Sequence, residues 1–595
     1  MTATAPAFLG VTRSVTGRRW RARSGDDRLA SALAQRLAVP ELIGRVLAGR
    51  GVDLDQAPGF LNPKLRDLLP DPSTFKDMDI AAARIVQAVR QGEPMAVFGD
   101  YDVDGATSSA LLKRFFDAVG GDLRIYIPDR LVEGYGPNAP ALLKLQAAGV
   151  RLVITVDCGI QAHAALATAA DAGLGCIVID HHLAEPALPR AIAVVNPNRI
   201  DENGAHRELA AVGVAFLLLV AVNRGLRQAG WYADRAEPDL MAWLDLVALG
   251  TICDVVPLTG LNRALVAQGL KVMARRGNLG LSALADVAGL SEPPGCYHAG
   301  FLLGPRVNAG GRVGKADIGA RLLTTADPDE AARLARELDQ LNAERRSIEA
   351  GVQDAAMQMA AGTDAQAPLV VAVGEGWHPG VIGIVASRLK EHFRRPALVI
   401  AVQNGIGKGS GRSIPGVDLG AAVTAARQAG LLINGGGHAM AAGLTVAASE
   451  LGRLRDFLCQ RLAPATAGLP ETVSLGLDGA LAVAGATPAL LDLLEQAGPF
   501  GAGNAEPRFA VTGARVVQSG VVGGQHVRCV LAGVDGSRLK AIAFRSLENG
   551  VGAALLNAAG MPLHVAGALR ADFWRGERRV QLVIEDLAPA AATGG

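Results

Sequence analysis

The sequence predicts a multidomain α/β protein: a doubly wound parallel-sheet domain, a long connecting helix, a second α/β domain and a C-terminal β-barrel. Three observations carry this. Five short apolar runs between residues 95 and 200 alternate with helix-length segments. Residues 327–361 space their apolar positions by fours and threes, interrupted only by Pro328 and Gly351. The last hundred or so residues hold five strand-like stretches between glycine-containing turns.

Taken in order, the first 24 residues carry Arg, Ser and Thr but no acid and no apolar core, which excludes a secretory signal. The expectation is a frayed N-terminus, with an organelle transit peptide as the alternative. Helical patterning begins near Arg28 and runs loosely to about Gln91. The apolar runs Met95–Phe98, Leu123–Ile127, Leu152–Val156, Cys176–Ile179 and Ala191–Val195 follow. Runs of four or five apolar residues separated by helices mark a parallel sheet covered on both faces. Leu334, Leu338, Leu341, Arg345, Ile348, Val352, Ala355 and Met359 then trace one helix of about 30 residues, about 45 Å long, unless Gly351 breaks it. The second α/β segment opens with the strand Leu369–Val373 and contains two glycine-rich loops. The stretches Arg508–Val522, His526–Ala532, Leu539–Phe544, Pro562–Leu569 and Val580–Leu587 predict a small barrel, with an OB-fold the leading candidate. The expected divisions are an N-terminal extension over 1–45, the parallel-sheet domain over 46–326, the helix over 327–362, the second α/β domain over 363–465 and the barrel over 466–595.

At roughly 100 to 200 residues per domain, 595 residues imply three to five domains. A hydrophobic share of 50% against 19% charged residues supplies ample core and excludes a disordered or fibrous chain. The formal charge of +1 provides no global positive field, so any nucleic-acid contact must come from a local groove. Six scattered cysteines without a CxxC pair exclude a disulfide scaffold and a thiolate zinc site, and suit a reducing compartment. No uncharged apolar stretch reaches the 18 or so residues that span a bilayer. The expectation is a soluble, cytoplasmic protein with no membrane role.

The chemistry concentrates at strand ends. Met95–Phe98 leads into Gly99-Asp-Tyr-Asp-Val-Asp-Gly105, three carboxylates at alternate positions. Leu152–Val156 ends in Asp157, and Cys176–Ile179 ends in Asp180-His181-His182. Asp254 follows another apolar helix or strand. One Asp at such a place is most often a helix cap. The whole set exceeds what capping needs, because ligand crevices of open α/β sheets lie beyond the carboxyl ends of their strands. Several anions within a few ångströms repel unless cations lie between them. Carboxylates with imidazole and no thiolate suit Mn²⁺ or Mg²⁺ better than Zn²⁺. Four acids and a histidine suffice for two ions, the arrangement for in-line displacement at phosphorus. The residues therefore point to a two-metal phosphoesterase or a related phosphoryl-cleaving enzyme.

This pattern resembles the DHH phosphoesterase family: an Asp-rich first motif, a lone Asp after the next strand, Asp-His-His, and a fourth Asp, in order. Longer stretches narrow the resemblance to the family's single-strand-specific DNA exonucleases. They are Val97–Thr107, Val156–Ile160, Gly304-Pro-Arg-Val-Asn-Ala-Gly-Gly-Arg312, Gly376–Ala386, Gly435-Gly-Gly-His438 and Pro499–Asn504. The likeness covers roughly residues 40 to 590. It implies a DHH catalytic domain, a DHH-associated domain and an OB-fold. It implies Asp102, Asp104, Asp157, His181 and Asp254 as metal ligands, with Asp157 bridging two Mn²⁺ or Mg²⁺ ions. It places Asp100, His182 and Asp157 in catalysis, the first two orienting ligands or the scissile phosphate. The activity implied is 5′→3′ hydrolysis of single-stranded DNA to 5′-mononucleotides, in repair and recombination.

Terminal-phosphate recognition favours arginine. Matching positions are Arg130, Arg306 and Arg312 with Asn308 between them, and Ser410 with Arg412. His438 is a phosphate contact of the second domain, His378 a weaker candidate. Tyr135 is a base-stacking candidate, and Phe573-Trp574 among Arg570, Arg575, Arg578 and Arg579 has a single-strand-binding composition. Structural ion pairs or core packing are the alternatives for each. The expected partners are single-stranded DNA, a single-strand binding protein and a helicase, for which no docking motif is visible; the expected state is a monomer. Competing readings are a DHH phosphodiesterase for short oligonucleotides or other small phosphorylated substrates, and a non-catalytic DNA-binding scaffold.

Overall fold

The computed structural model describes residues 6–130, 132–362, 367–468, 473–574 and 577–590. The chain divides into two compact units, one drawn from residues 1–69, 257–267 and 470–595, the other from 70–256 and 268–469.

In the first unit, strands Phe509–Val522, His526–Ala532, Arg538–Ala543, Glu577–Pro589 and Pro562–Trp574 follow one another in the sheet. The last pairs back onto the first through Phe509↔Gly567 to Arg515↔Pro562, which closes the barrel. Alternate residues of the five strands fill the interior with Phe509, Val511, Val527, Leu531, Leu539, Val565 and Leu582. Within the described residues, the N-terminal segment from Arg19 on is held in place rather than frayed. Arg19–Ala22 pairs in parallel with Ser474–Leu477, wholly buried Trp20 donates its indole N–H to Asp586 at 2.9 Å, and Leu33, Ile43, Val46 and Leu47 join the barrel's core. A lack of acids says nothing about a strand whose partner lies some 450 residues away; the apolar residues of 27–48 and Trp20 hold this segment down.

The cations near the barrel's last hairpin are largely spent on carboxylates. Arg570 pairs with Glu506, Arg578 with Asp492 and Glu495, and Arg579 with Glu577. Phe573 is exposed; Arg575 lies outside the described residues. The described arginines of that basic and aromatic string thus make surface ion pairs, and the Trp574 side chain also lies outside what the structure describes.

The second unit opens with a five-stranded parallel sheet in the order Leu123–Tyr126, Met95–Gly99, Leu152–Val156, Gly175–Ile179, Ala193–Val195. Helix Ala211–Gln228 is long and apolar enough to cross a membrane by length and composition, but most of it is buried inside this lobe. Helix Pro328–Ala361 runs 34 residues, about 51 Å, without a break at Gly351. Asp327 caps it by accepting the Asp329 N–H. Its first half packs on helices Leu279–Val287 and Gly304–Val313, its second on helix Ile382–Phe393. Burial of Leu334, Leu338, Val352 and Ala356 outweighs the roughly 1 kcal/mol a mid-helix glycine costs.

Beyond the helix lies a five-stranded mixed sheet ordered Asn434–His438, Ala441–Ala447, Ile406–Arg412, Ala397–Gln403, Val370–Glu375. Both expected glycine-rich loops are strands here. The glycines are packing devices: a Cβ at Gly409 would sit 2.7 Å from Leu444, and one at Gly411 2.6 Å from Leu419. Glycine content alone reads as loop; its alternation at 407, 409 and 411, the core-facing positions, was the signal for a strand.

Candidate metal centre

Four chain segments converge beyond the carboxyl ends of the parallel strands. After Met95–Gly99, Asp102 caps helix Val103–Val119 by accepting the Gly105 N–H at 3.0 Å, worth about 1 kcal/mol. The turn is tight: a Cβ at Gly105 would lie 2.4 Å from the Asp100 carbonyl oxygen. Asp104, inside that helix and 1% exposed, accepts the Ala211 and Val212 N–H groups at 2.7 and 2.9 Å. Asp157 follows Leu152–Val156 in a left-handed conformation, φ +60°, a strain that clusters at functional sites. Asp254 is the C-cap of helix Leu244–Cys253, which settles that its preceding apolar segment is a helix.

His181 stands at the centre. Its Nε2 lies 3.2 Å from Asp157, 3.6 Å from Asp254 and 4.0 Å from Asp104. Ligand atoms of Asp104, His181 and Asp254 fall within 4.8 Å of one another, as do those of Asp157, His181 and His182, and those of Asp100, Asp102 and Asp157. All seven acids and histidines singled out as catalytic or ligating are therefore brought together. Asp100 and His182 come within ligand reach, closer than the supporting role expected of them.

The electrostatics of this cluster are severe. Burial, then the charge of Asp102, pushes Asp104 up to about 7 and Asp100 well above the usual carboxylate range. Burial, then Asp104 and Asp102, takes Asp254 to about 9. Asp157 rises well above its ordinary value for the same reasons. Burial also lowers His181 to about 4, so its imidazole is neutral and able to ligate. Among the described residues, buried Asp100 Oδ1, Asp254 Oδ2 and His181 Nε2 have no hydrogen-bond partner. Buried polar atoms are rarely left so. Orphaned oxygens, a neutral imidazole and mutually repelling carboxylates are the donor set of hard divalent cations, and the residues fit Mn²⁺ or Mg²⁺.

Supporting residues were less visible in the sequence. Asp180 Oδ1 accepts from the His181 and His182 N–H groups and faces His182 Nδ1 at 2.7 Å; Oδ2 accepts the Ile160 N–H. Burial opposes a charge on His182, but the Asp180 hydrogen bond and charge outweigh it and hold the imidazolium up to about 9. Asn196 and Asn198 donate to the His182 and His181 carbonyls at 2.8 and 2.6 Å. Neither asparagine lies in a motif; their place after Ala193–Val195, at the same sheet edge, was the available signal.

Beside the acids lies a group of cations. Arg130 stacks over the Tyr101 ring at 4.9 Å and its charge reaches Asp100, Arg312 and Arg412. Arg312, on helix Gly304–Val313, donates to the Gly380 carbonyl at 3.0 Å and so ties the two lobes of this unit. Burial, then Arg130 and Arg345, lowers it to about 10. Arg412 donates to Ser410 Oγ at 3.2 Å and packs against Gly383 at the start of helix Ile382–Phe393. Arg306 differs: its Nε meets Asp339 at 2.9 Å and its Nη1 the Leu302 carbonyl, the structural ion pair that was its alternative. Asn308 is half-buried on the same helix. His438 is exposed at the end of the edge strand Asn434–His438, and His378 Nδ1 accepts the Gly380 N–H at 3.0 Å. Tyr135 is half exposed, and its hydroxyl donates to the Asp157 carbonyl at 3.0 Å.

Comparison with known proteins agrees with this arrangement. Residues 94–251 match the DHH family, N-terminal domain, residues 366–463 the DHHA1 domain, and residues 477–586 the RecJ OB domain. The chain is 38% identical over 570 residues to the single-stranded-DNA-specific exonuclease RecJ of Dickeya dadantii, covering 93% of this chain and 96% of that protein. It is 36% identical over 569 residues to the Escherichia coli protein of the same name, with the same coverage. The crystal structure of RecJ in complex with Mn²⁺ from Thermus thermophilus superposes with a TM-score of 0.79 at 31% identity, covering 97% of this chain and 80% of that one.

Proposed function

The chain belongs to the RecJ family of DHH phosphoesterases, and on that premise we propose that it is a single-stranded-DNA-specific exonuclease hydrolysing phosphodiester bonds with Mn²⁺ or Mg²⁺. The observation that carries the reading is the meeting of Asp100, Asp102, Asp104, Asp157, His181, His182 and Asp254 within ligand distance, with orphaned donor atoms. Relatives have been crystallised with Mn²⁺ and with Mg²⁺.

Asp102, Asp104, Asp157, His181 and Asp254 would hold two ions. When bound, such a pair readies water for attack and offsets charge on the attacking and leaving oxygens. The chain's own residues do the rest. Asp104 is held by two backbone N–H groups, which fixes the direction of its lone pairs. Asp180 keeps His182 protonated at neutral pH, so His182 presents a cation to the scissile phosphate and stabilises charge developing there. Arg130, Arg412 and Ser410 form the anion site for a terminal 5′-phosphate, with Arg312 bracing it through Gly380. An anion site beside the acids admits a strand by its 5′ end and sets 5′→3′ polarity with 5′-mononucleotide products. Asn308 and His438 complete the substrate contacts, while the engaged Arg306 orients its helix. Scattered cysteines fit a cytoplasmic enzyme, working as a monomer alongside a single-strand binding protein and a helicase.

The small-substrate phosphodiesterase is not favoured, because the relatives matched along nine-tenths of the chain are single-stranded-DNA exonucleases. The test compares Mn²⁺-dependent release of nucleotides from a long 5′-phosphorylated single strand, the same strand in duplex, and a dinucleotide. Rapid release from the single strand alone supports the proposal; preference for the dinucleotide or no release from any overturns it.

A further inference from the structure

Tyr135 does something that a base-stacking side chain does not need to do. Asp157 sits at φ +60°, a left-handed conformation that crowds the Cβ of any residue but glycine against its own backbone. Both of its main-chain polar groups are tied. Its N–H donates to the Ile179 carbonyl of the neighbouring strand at 3.1 Å, and its carbonyl accepts the Tyr135 hydroxyl at 3.0 Å. The second tie comes from outside the sheet.

The loop that delivers it is built for the purpose. Glu133 accepts from the Tyr126 hydroxyl at 2.8 Å, the Asp129 N–H at 3.0 Å and Asn138 Nδ2 at 3.3 Å. The Glu133 and Gly134 N–H groups return to the Asp129 carbonyl. Gly134 and Gly136 flank the tyrosine at φ +84° and +76°, two turns that aim the side chain back over the strand end. The hydroxyl is the donor here, since a backbone carbonyl can only accept. His182 Nδ1 lies 3.4 Å from it but is engaged by Asp180 at 2.7 Å, which leaves the Asp157 carbonyl as the main acceptor.

We propose that Tyr135 is a positioning residue for the metal centre, its hydroxyl locking the strained main chain of Asp157 so that the carboxylate meets the ions in a fixed direction. This rests on the metal-centre reading above. The exposed ring remains free to face a base, so the two roles separate by substitution.

The experiment titrates Mn²⁺ calorimetrically into the metal-free full chain, without DNA, for wild type, Tyr135→Phe, Tyr135→Leu and Asp157→Ala, and measures kcat and KM on a 5′-phosphorylated single strand. Supporting partners of ligands are typically worth 10- to 100-fold. Tyr135→Phe is expected to weaken Mn²⁺ binding about tenfold and to lower kcat by a similar factor with KM unchanged, while Tyr135→Leu also raises KM. Wild-type Mn²⁺ affinity and kcat in Tyr135→Phe, with only Tyr135→Leu impaired, would reduce the residue to a stacking surface and overturn the proposal. Asp157→Ala separates the two layers. If it still binds Mn²⁺ as wild type does, the metal-centre reading itself fails, whatever Tyr135 does.

Discussion

Asp478 in the barrel unit and Asp157 at the sheet edge are both buried aspartates, yet their surroundings are opposite. Asp478 receives Arg23 and Arg50 at 2.9 Å each and the Arg508 N–H at 2.9 Å. Arg50 is itself fixed by Asn504 Oδ1 and the Val46 carbonyl. Asp157 has Asp102, Asp104, Asp100 and Asp254 as its charged neighbours, on a strained backbone. A buried charge with both oxygens answered by cations holds a fold together; a buried charge surrounded by its own sign is waiting for a ligand. The contrast separates structural from functional acids without reference to either motif.

Substitution sharpens the contrast most at the metal centre. Asp157→Ala and Asp254→Ala should each lower cleavage by about 1,000-fold, while the metal-free protein melts no lower than wild type because a repelling group has gone. Both retaining more than a few per cent of activity would erase the distinction. Asp478→Ala should do the reverse. Leaving Arg23 and Arg50 buried and unpaired costs about 3–5 kcal/mol, read from denaturant melts, with Mn²⁺ affinity unchanged. Loss of Mn²⁺ binding there would show that the two acids are not separable.

A pH series tests the same difference more gently. Asp104 and Asp254 have folded values raised to about 7 and about 9, above the unfolded value near 3.9. Their contribution to stability is complete below the unfolded value and is lost as pH rises through the folded ones. The metal-free melting temperature should therefore fall between pH 6 and 10, and saturating Mn²⁺ should remove the slope; a flat metal-free profile contradicts the account. The smallest effect is expected at Arg412→Ala, where losing a charged hydrogen bond of about 1.5 kcal/mol or more should reduce the preference for a 5′-phosphate over a 5′-hydroxyl end about tenfold. Equal rates on the two ends in wild type would remove the basis for that site.

Much of this was legible from residue pattern. Of the apolar runs from Met95 to Val195, all but the edge strand Leu123–Tyr126 are buried on both faces almost throughout, and the acids after them meet because parallel strands end together. The long helix was legible from Leu334, Leu338 and Val352, which are buried, although at its end the buried face runs through Ala356 and Ala360 and leaves Met359 exposed. What stayed hidden depends on partners remote in sequence. Trp20 finds Asp586, Arg306 finds Asp339, and Arg570 and Arg578 find acids of 492–506. No local window contains such pairs. The glycine strands Ile406–Arg412 and Asn434–His438 were hidden for a different reason, since glycine composition masks a period of two. Asp180 was visible as a motif letter, but its service to His182 rather than to a metal is set by geometry alone.

The proposed hydrolysis requires two cations held among Asp102, Asp104, Asp157, His181 and Asp254. An anomalous difference map from a crystal of the full chain equilibrated with Mn²⁺ tests this directly. Two peaks about 3.5–4 Å apart, both within bonding distance of those side chains, are the predicted result. An empty map at this crevice would contradict it.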